Sequence, residues 1–207
     1  MAKIKNLMFD LGGVLLNIDY NKTADAFKKL GVLNFDDLYS QHEANHLFES
    51  LETGKISEEV FYSTMQQYCE TGTNVQQIQT AWNAMLLDFR VDSLKFLDGL
   101  KEKYNLFLLS NTNIIHHTAF TKLLQQKTGQ QSLDSYFIKT YFSHEIFIRK
   151  PYPGTYKIVV EDAKINAEET LFIDDSINNI EGAKGAGLQV YHLLAGEKIE
   201  NIEFQKN

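Results

Sequence analysis

Polar residues that follow short apolar runs carry the most reactive chemistry in this sequence. Asp10, Ser110 and the pair Asp174-Asp175 each end such a run, and Lys150 lies in a loop between two further runs. Taken singly, each is more typical of a helix cap or a turn than of a catalyst. In an open parallel sheet, however, ligands bind at the carboxyl ends of the strands. The order and types of these residues therefore predict one shared site.

The predicted site has specific chemistry. Asp10, Asp174 and Asp175 would repel one another at one sheet edge unless a cation lay among them, and Mg²⁺ prefers carboxylates, a carbonyl and water as ligands. Lys150 and Ser110 would leave the remaining positions suited to a phosphate group. An Asp beside a metal-bound phosphoryl group can act as a nucleophile and form an aspartyl-phosphate that water then cleaves. The pattern predicts phosphoryl transfer with Mg²⁺ as cofactor.

The elements that must position these residues alternate along most of the chain. Short apolar runs, with further strands expected around residues 137–142 and 188–192, are separated by segments of helical spacing. This alternation predicts an α/β fold with a doubly wound, Rossmann-like parallel sheet. Residues 17–87 show helical spacing and no good strand, which predicts a small inserted all-helical cap domain. The catalytic core would then comprise residues 1–16 and 88–207.

Within the helical segment, Ser57 and Asn74 are predicted N-caps, since a side-chain oxygen there accepts a bond from the first helical turn. Cys69 is expected to be a small buried hydrophobe rather than a nucleophile. The expected apolar positions of the two capped helices are Phe61, Tyr62, Met65, Tyr68, Val75, Ile78, Trp82 and Met85.

Composition excludes several classes of protein. The chain has 207 residues, of which 43% are hydrophobic, and a formal net charge of −7, which disfavours nucleic acid as a partner. Its one cysteine cannot form a disulfide or a thiolate metal cluster within the chain. No apolar stretch approaches the ~20 residues of a membrane helix, and the N-terminus does not resemble a signal peptide. We therefore expect a cytoplasmic protein that acts on a small phosphorylated metabolite, as a monomer or weak homo-oligomer, without nucleic acid or membrane partners.

Four segments together resemble, in order, the sequence motifs of the haloacid dehalogenase-like hydrolases. The set of four is highly specific, and the helical segment is similar to the cap that this family inserts after its first motif. The form of the first motif resembles a branch that includes sugar-1-phosphate phosphatases and lies near the phosphatase domain of epoxide hydrolases. The segments are Phe9-Asp10-Leu11-Gly12-Gly13-Val14-Leu15, Leu109-Ser110-Asn111, Lys150-Pro151-Tyr152-Pro153 and Phe172-Ile173-Asp174-Asp175-Ser176-Ile177-Asn178-Asn179.

The resemblance implies a role for each matching residue at the phosphate. Asp10 would be the nucleophile, and Lys150 would balance its charge and that of the phosphate. Ser110 would hold a phosphoryl oxygen, helped by the backbone of Asn111. Gly13 would allow the backbone to turn sharply and approach the phosphate closely.

The resemblance also implies a set of metal ligands. Asp10 and Asp175 would bind Mg²⁺ directly, and Asp174 would act mainly through a water molecule. The backbone carbonyl of Gly12 would supply a further ligand. Asn179 matches a residue that supports the site from one helical turn further on.

One position departs from the family pattern. Its phosphatases place a second Asp two residues after the nucleophile as general acid and base, and this chain has Gly12 there. Asp19 is too far along the chain to be taken as a substitute. The main hypothesis is a Mg²⁺-dependent phosphatase, with sugar phosphates as candidate substrates. The alternatives are a metal-independent 2-haloacid dehalogenase, which the Asp174-Asp175 pair disfavours, and a weakly active or non-catalytic relative that binds a phosphorylated ligand.

Other conspicuous residues have ordinary structural interpretations. The glycine-rich run at 182–187 has the wrong spacing for a dinucleotide site and indicates close helix packing. His116 and His117 follow the Ser110 motif, and we favour a solvated or capped pair over contact with substrate. His144 has no partner at metal-ligand spacing in the sequence and is expected to be structural.

Overall fold

The computed structural model describes residues 2–39 and 46–204. Its main sheet has five strands in the order β5-β4-β1-β6-β7, and all neighbouring strands are parallel. A separate pair, β2 and β3, is antiparallel. The strands are β1 Asn6–Phe9, β2 Leu16–Ile18, β3 Leu86–Phe89, β4 Asn105–Ser110, β5 Lys139–Phe142, β6 Thr170–Asp174 and β7 Gln189–His192.

Successive side chains of a strand point to opposite faces of the sheet. Both faces of the main sheet are apolar and are covered by helices. Leu7 and Phe9 of β1 pack with α6 and α7 on one face, and Met8 packs with α9 and α10 on the other. The predicted doubly wound α/β fold is confirmed. No helix in the described part of the chain is both long and apolar enough to span a bilayer. The helices are α1 Tyr20–Lys28, α2 Phe35–Leu38, α3 His46–Glu52, α4 Glu58–Tyr68, α5 Val75–Asn83, α6 Val91–Leu100, α7 Ile114–Thr128, α8 Ser143–Ile146, α9 Pro153–Ala163 and α10 Ile177–Gly185.

Helices α1 to α5, here called the helical block, enclose a second hydrophobic cluster. Trp82 lies at its centre, fully buried, with ring centroids 5.2 Å from Phe48 and 5.1 Å from Phe61. Aromatic pairs at this spacing add to the free energy gained by burying their surface. Ile115 of α7 belongs to the same cluster, so the helical block packs directly on the core.

A two-stranded ribbon joins the helical block to the core, and the expectation of no strand in residues 17–87 is wrong. Leu16 pairs with Phe89 and Ile18 with Leu86. Each strand is too short to show a period of two, and its partner lies some 70 residues away. Pairing of this kind depends on contacts that a local sequence pattern does not show.

Two predicted apolar positions of the helical block are also wrong, because Tyr68 is 52% and Val75 44% exposed. Tyr68 is the last residue of α4 and Val75 the first of α5, so both lie at helix ends. The predicted caps are confirmed. Ser57 Oγ accepts from the backbone N–H of Val60, and Asn74 forms a reciprocal capping box with Gln77.

His116 on α7 connects the core to the helical block through hydrogen bonds. Its Nε2 lies 3.0 Å from the Trp82 carbonyl, and its Nδ1 lies 3.1 Å from Asn113 Nδ2. The Asn113 oxygen accepts the backbone N–H of Ile115, which fixes the amide orientation. Nδ1 therefore accepts and Nε2 donates, so the bonding pattern requires a neutral ring. Burial lowers the pKa of His116 to about 4, although the Trp82 carbonyl opposes this shift.

Stability is expected to fall with acidification because of His116. Between its ordinary pKa near 6.5 and the folded value of about 4, the unfolded chain binds more protons than the folded one, so stability rises with pH in this window and is complete above it. The contribution is on the order of 3 kcal/mol. Urea unfolding between pH 4.5 and 7.5 should show a shallower pH slope for His116→Gln, whereas the exposed His46→Gln should match wild type. An unchanged slope in His116→Gln would contradict the assignment.

Candidate active site

The parallel sheet brings the sequence-predicted residues to one edge. Asp10 directly follows β1, Ser110 ends β4 and Asp174 ends β6, and these three strands are neighbours in the sheet. Asp10, Ser110 and Asp174 are all buried, and Asp175 is partly buried. The expected convergence is therefore present in the structure.

Lys150 lies between two of these carboxylates. Its Nζ is 2.7 Å from Asp10 Oδ1 and 2.6 Å from Asp174 Oδ2, and it also lies over the ring of Phe172. The lysine side chain is only 1% exposed. Burial alone would lower the pKa of Lys150, but Asp10 and Asp174 outweigh it and raise that pKa, so the ammonium stays charged.

The carboxylate of Asp174 already has partners on both oxygens. Oδ2 accepts from Lys150 and from Asn179 Nδ2, and Oδ1 accepts from the same amide and from the backbone N–H of Ser176 at 2.8 Å. A carboxylate this fully occupied favours contact with a metal ion through water. Asn179 takes the supporting place that the resemblance implied.

Gly13 leaves room for Asp175. Its φ of +70° lies in the left-handed region, and the Asp175 carboxylate occupies the space that a Cβ at this position would need. Gly12, in contrast, does not adopt a positive φ, and a Cβ there would lie 2.9 Å from the flexible end of Ile18. Only the second glycine of the pair is required by the backbone.

The loop that carries Lys150 is held from two sides. Asn111 accepts the backbone N–H of Lys150 with its Oδ1 and donates its Nδ2 to the Lys150 carbonyl, both at 2.9 Å. On the other side, the carbonyl of Pro151 fills the space next to Gly182 on α10. Gly182 thus allows close packing of α10, but against the loop that carries Lys150 rather than against the sheet. The side chain of Asn111 thus positions Lys150. The backbone N–H of Asn111 is left for a ligand.

The electrostatics of the site fit a divalent cation. Oxygens of Asp10, Asp174 and Asp175 lie within 4.8 Å of one another. Burial, Asp174 and Asp175 together raise the pKa of Asp10 to about 7 against the pull of Lys150. Burial and Asp174 likewise raise the pKa of Asp175. One ammonium does not balance three carboxylates, and hard oxygen ligands in this number suit Mg²⁺.

A cavity of about 130 Å³ opens in front of these residues, and the helical block supplies part of its wall. Tyr20, Tyr39 and Glu52 from the block line it, together with Arg149 from the loop before Lys150. None of these four residues was predicted from the sequence. The direct adjacency of Arg149 to Lys150 was the one sequence signal that marked any of them.

Glu52 and Arg149 form an ion pair between helical block and core. Arg149 Nε lies 3.2 Å from Glu52 Oε2, and the side chains are 16% and 6% exposed. Tyr39 donates its hydroxyl to Glu52 Oε1 at 3.0 Å. Burial raises the pKa of Glu52 although Arg149 and Tyr39 oppose the shift. Burial, Glu52 and the carboxylates of Asp10 and Asp175 raise the pKa of Tyr20 well above its ordinary value, so its hydroxyl remains a donor.

The side chains of the two consecutive histidines, His116 and His117, point to different parts of the structure. His116 borders the cavity, but both ring nitrogens are engaged by Asn113 and Trp82. His117 turns away from the cavity wall toward Phe142 and His144, at ring centroid distances of 4.6 and 5.5 Å. Contact with substrate was not the favoured interpretation, and the bonding of His116 agrees with that.

A parallel α/β sheet with carboxylates and a buried lysine at its carboxyl edge defines a class of hydrolase. The haloacid dehalogenase-like hydrolase family model matches residues 4–187, and the chain belongs to that family. It is 30% identical over 188 residues to a D-ribitol-5-phosphate phosphatase from Bacteroides thetaiotaomicron, covering 91% of each chain.

Two solved structures are similar over nearly the whole chain. A HAD family enzyme from Bacteroides thetaiotaomicron, solved as a magnesium complex, is 37% identical with a TM-score of 0.87, covering 96% of this chain and 97% of that one. A predicted HAD-like hydrolase from Porphyromonas gingivalis is 32% identical with a TM-score of 0.85, covering 95% and 94%.

Replacing the buried lysine should destabilise the fold. Lys150→Met leaves the Asp10 and Asp174 carboxylates buried without their cation, and loss of one partner from a buried ion pair costs about 3–5 kcal/mol. The free energy of unfolding measured by urea at pH 7 in EDTA checks this. The matched control is Lys5→Met, whose surface pair with Glu169 should contribute no more than about 1 kcal/mol. Equal stability of the two variants would show that the buried pair is not structurally important.

Proposed function

We propose that this protein is a Mg²⁺-dependent phosphatase that hydrolyses a small phosphorylated metabolite through an aspartyl-phosphate on Asp10. The observation that carries the proposal is the cluster of Asp10, Asp174 and Asp175 around the Lys150 ammonium, at the mouth of a small polar cavity. The phosphatase named among its relatives and the magnesium complex of a similar structure support it.

In the proposed reaction each side chain of the site has a separate role. Lys150 holds the Asp10 carboxylate through Oδ1 and fixes its orientation, and Asp10 supplies the attacking carboxylate oxygen. The phosphorus–oxygen bond to the leaving group breaks as the bond to Asp10 forms, and water then cleaves the acyl phosphate. Ser110 and the backbone N–H of Asn111 would hold phosphoryl oxygens. Bound Mg²⁺ supplies positive charge that neutralises the phosphate oxygens.

We further propose that Asp10, Asp175 and the Gly12 carbonyl bind the metal directly and Asp174 through water. In this arrangement residues 17–87 act as a cap over a core formed by residues 1–16 and 88–207. The Tyr39 and Glu52 side chains in the cavity wall support that role.

Shape-conserving variants test the nucleophile and the metal ligand separately. Asp10→Asn keeps the side-chain volume but removes the attacking charge, so Mg²⁺-dependent turnover of p-nitrophenyl phosphate should fall to background. Mg²⁺ should raise the melting temperature of the wild type, because an ion that binds only the folded state stabilises it. In Asp175→Asn that thermal shift should be lost. Wild-type turnover in the first variant, or an undiminished shift in the second, would refute the corresponding role.

The Gly12 position gives a test based on leaving groups. With no acid at position 12, esters with good leaving groups should be favoured, so anomeric sugar phosphates should react faster than primary alkyl phosphates. Gly12→Asp should narrow this gap, by at most about 10²–10⁴-fold. The substitution is feasible because Gly12 has no positive φ and only the end of Ile18 must shift. If the wild type hydrolyses both classes equally well, the proton comes from another group.

The cavity wall favours an uncharged, hydroxylated leaving group. Glu52 and Arg149 neutralise each other, and their remaining hydrogen-bonding positions, with the hydroxyl of Tyr20, match the donors and acceptors of a polyol or sugar. A leaving group with its own carboxylate would compete with Glu52 for Arg149 and leave a buried charge unpaired. The D-ribitol-5-phosphate phosphatase among the relatives agrees with a polyol phosphate.

Two substrates of equal length make this preference measurable. Glycerol 3-phosphate and 3-phosphoglycerate share a primary leaving oxygen and differ in a terminal hydroxymethyl or carboxylate. Glu52→Gln frees Arg149, so the ratio of kcat/KM for the neutral over the acidic substrate should fall by about tenfold, equivalent to roughly 1.4 kcal/mol. Glu49→Gln on the same helix should leave the ratio unchanged. Parallel loss on both substrates would indicate a purely structural role for Glu52.

The dehalogenase alternative predicts a different response. A metal-independent dehalogenase would act on 2-haloacids in EDTA and would not require paired carboxylates after β6. The shared proximity of Asp174 and Asp175 to Asp10 favours the phosphatase. A non-catalytic relative would bind phosphate without Mg²⁺-dependent turnover.

A further inference from the structure

A second group of metal-ligating side chains lies away from the cavity. His117 on α7, with His144 and Glu145 on α8, each place one ligand atom within 4.8 Å of the others. The ring centroids of the two histidines are 5.5 Å apart, and His144 Nε2 lies 3.9 Å from Glu145 Oε1. The spacing along the sequence showed no partner for His144, but the fold brings His117, from a different element, close to it.

The His144 ring is an unexplained buried polar group. Its side chain is only 8% exposed, and neither ring nitrogen has a hydrogen-bond partner in the described part of the chain. The Thr112 carbonyl faces the ring and favours its protonated form, but it makes no hydrogen bond of good geometry to the ring and already accepts the Ser143 hydroxyl at 2.9 Å. A native protein seldom leaves such a group unsatisfied unless a water or an ion completes it.

We propose that His117, His144 and Glu145 form a binding site for a zinc-class transition metal ion, distinct from the magnesium site. Two imidazoles and one carboxylate are a ligand set typical of Zn²⁺, with a water molecule in the fourth position. Imidazole disfavours Mg²⁺, which requires oxygen ligands. A tetrahedral ion with bonds of about 2.0–2.1 Å places its donor atoms about 3.3 Å apart. Ligand atoms that lie within 4.8 Å of one another must therefore close by no more than about 1.5 Å.

The surroundings suit a metal site in two further ways. Burial lowers the pKa of His117, and burial and the neighbouring His117 lower that of His144 to about 4, so both rings are neutral at pH 7 and ready to bind. Glu145 has about half of its side chain exposed, which leaves a path for the ion to enter.

Metal binding here would stabilise a contact between core and helical block. Helix α8 packs against α3, and the backbone carbonyl of His144 fills the space beside Gly54, whose φ is +64°. An ion that joins α7 to α8 would therefore fix the position of α8, against which α3 of the helical block packs.

Calorimetric titration of the full chain with ZnCl₂ in saturating Mg²⁺ tests the proposal, since Mg²⁺ occupies the carboxylate site. We expect one zinc per chain and a raised melting temperature. The affinity for zinc should fall by about 100-fold or more in His144→Ala and in His117→Gln. This loss is larger than the one usually caused by removing a residue that only hydrogen-bonds a metal ligand. If His144→Ala fails to fold, Glu145→Gln replaces it as a test, because Glu145 is exposed and its substitution should weaken zinc binding without disturbing the fold. The exposed His46→Gln is the matched control.

Cobalt(II) gives an independent readout of the ligands. Tetrahedral Co²⁺ has visible absorption bands, which should form in wild type and in Asp175→Asn but not in His117→Gln. The Mg²⁺ thermal shift should survive in His117→Gln. Zinc affinity or cobalt spectra that are the same in wild type and in the His117→Gln and Glu145→Gln variants would overturn the proposal, whatever the outcome of the phosphatase assays.

Discussion

The arrangement of the active site depends on one buried ammonium group held between two carboxylates. Lys150 bonds Asp10 after β1 and Asp174 at the end of β6, and all three side chains are largely withdrawn from water. Such a pair is stable only if its geometry is good and its remaining polar atoms are satisfied. Asn111 fixes the lysine backbone and Asn179 fixes the far carboxylate. The strand ends and the lysine loop are therefore positioned as one unit.

That unit keeps an excess of negative charge. Burial and the neighbouring carboxylates raise the pKa of Asp10 to about 7 despite Lys150. A divalent cation would relieve this imbalance and favour the charged form of Asp10. Gly13 permits the approach of Asp175, and Gly12 needs no special conformation. The missing side chain at position 12 is thus a chemical difference rather than a requirement of the backbone.

The core and the helical block both line the same cavity. The core supplies the charged strand ends, and the helical block supplies Tyr20, Tyr39 and Glu52. The β2–β3 ribbon and the neutral ring of His116 set how the block rests on the core. The Glu52–Arg149 pair crosses this boundary, and Arg149 directly precedes Lys150 in the chain.

The sequence by itself determined the alternating fold, the helix caps and the residues at the strand ends, because each depends on spacing within one element and on the direction of parallel strands. Only the tertiary structure decided the β2–β3 pairing, the exposure of Tyr68, the Glu52–Arg149 pair and the meeting of His117 with His144. These features join residues far apart in the chain. They depend on which faces of the elements meet, and the burial that fixes those faces is a property of the whole packed chain rather than of any local pattern.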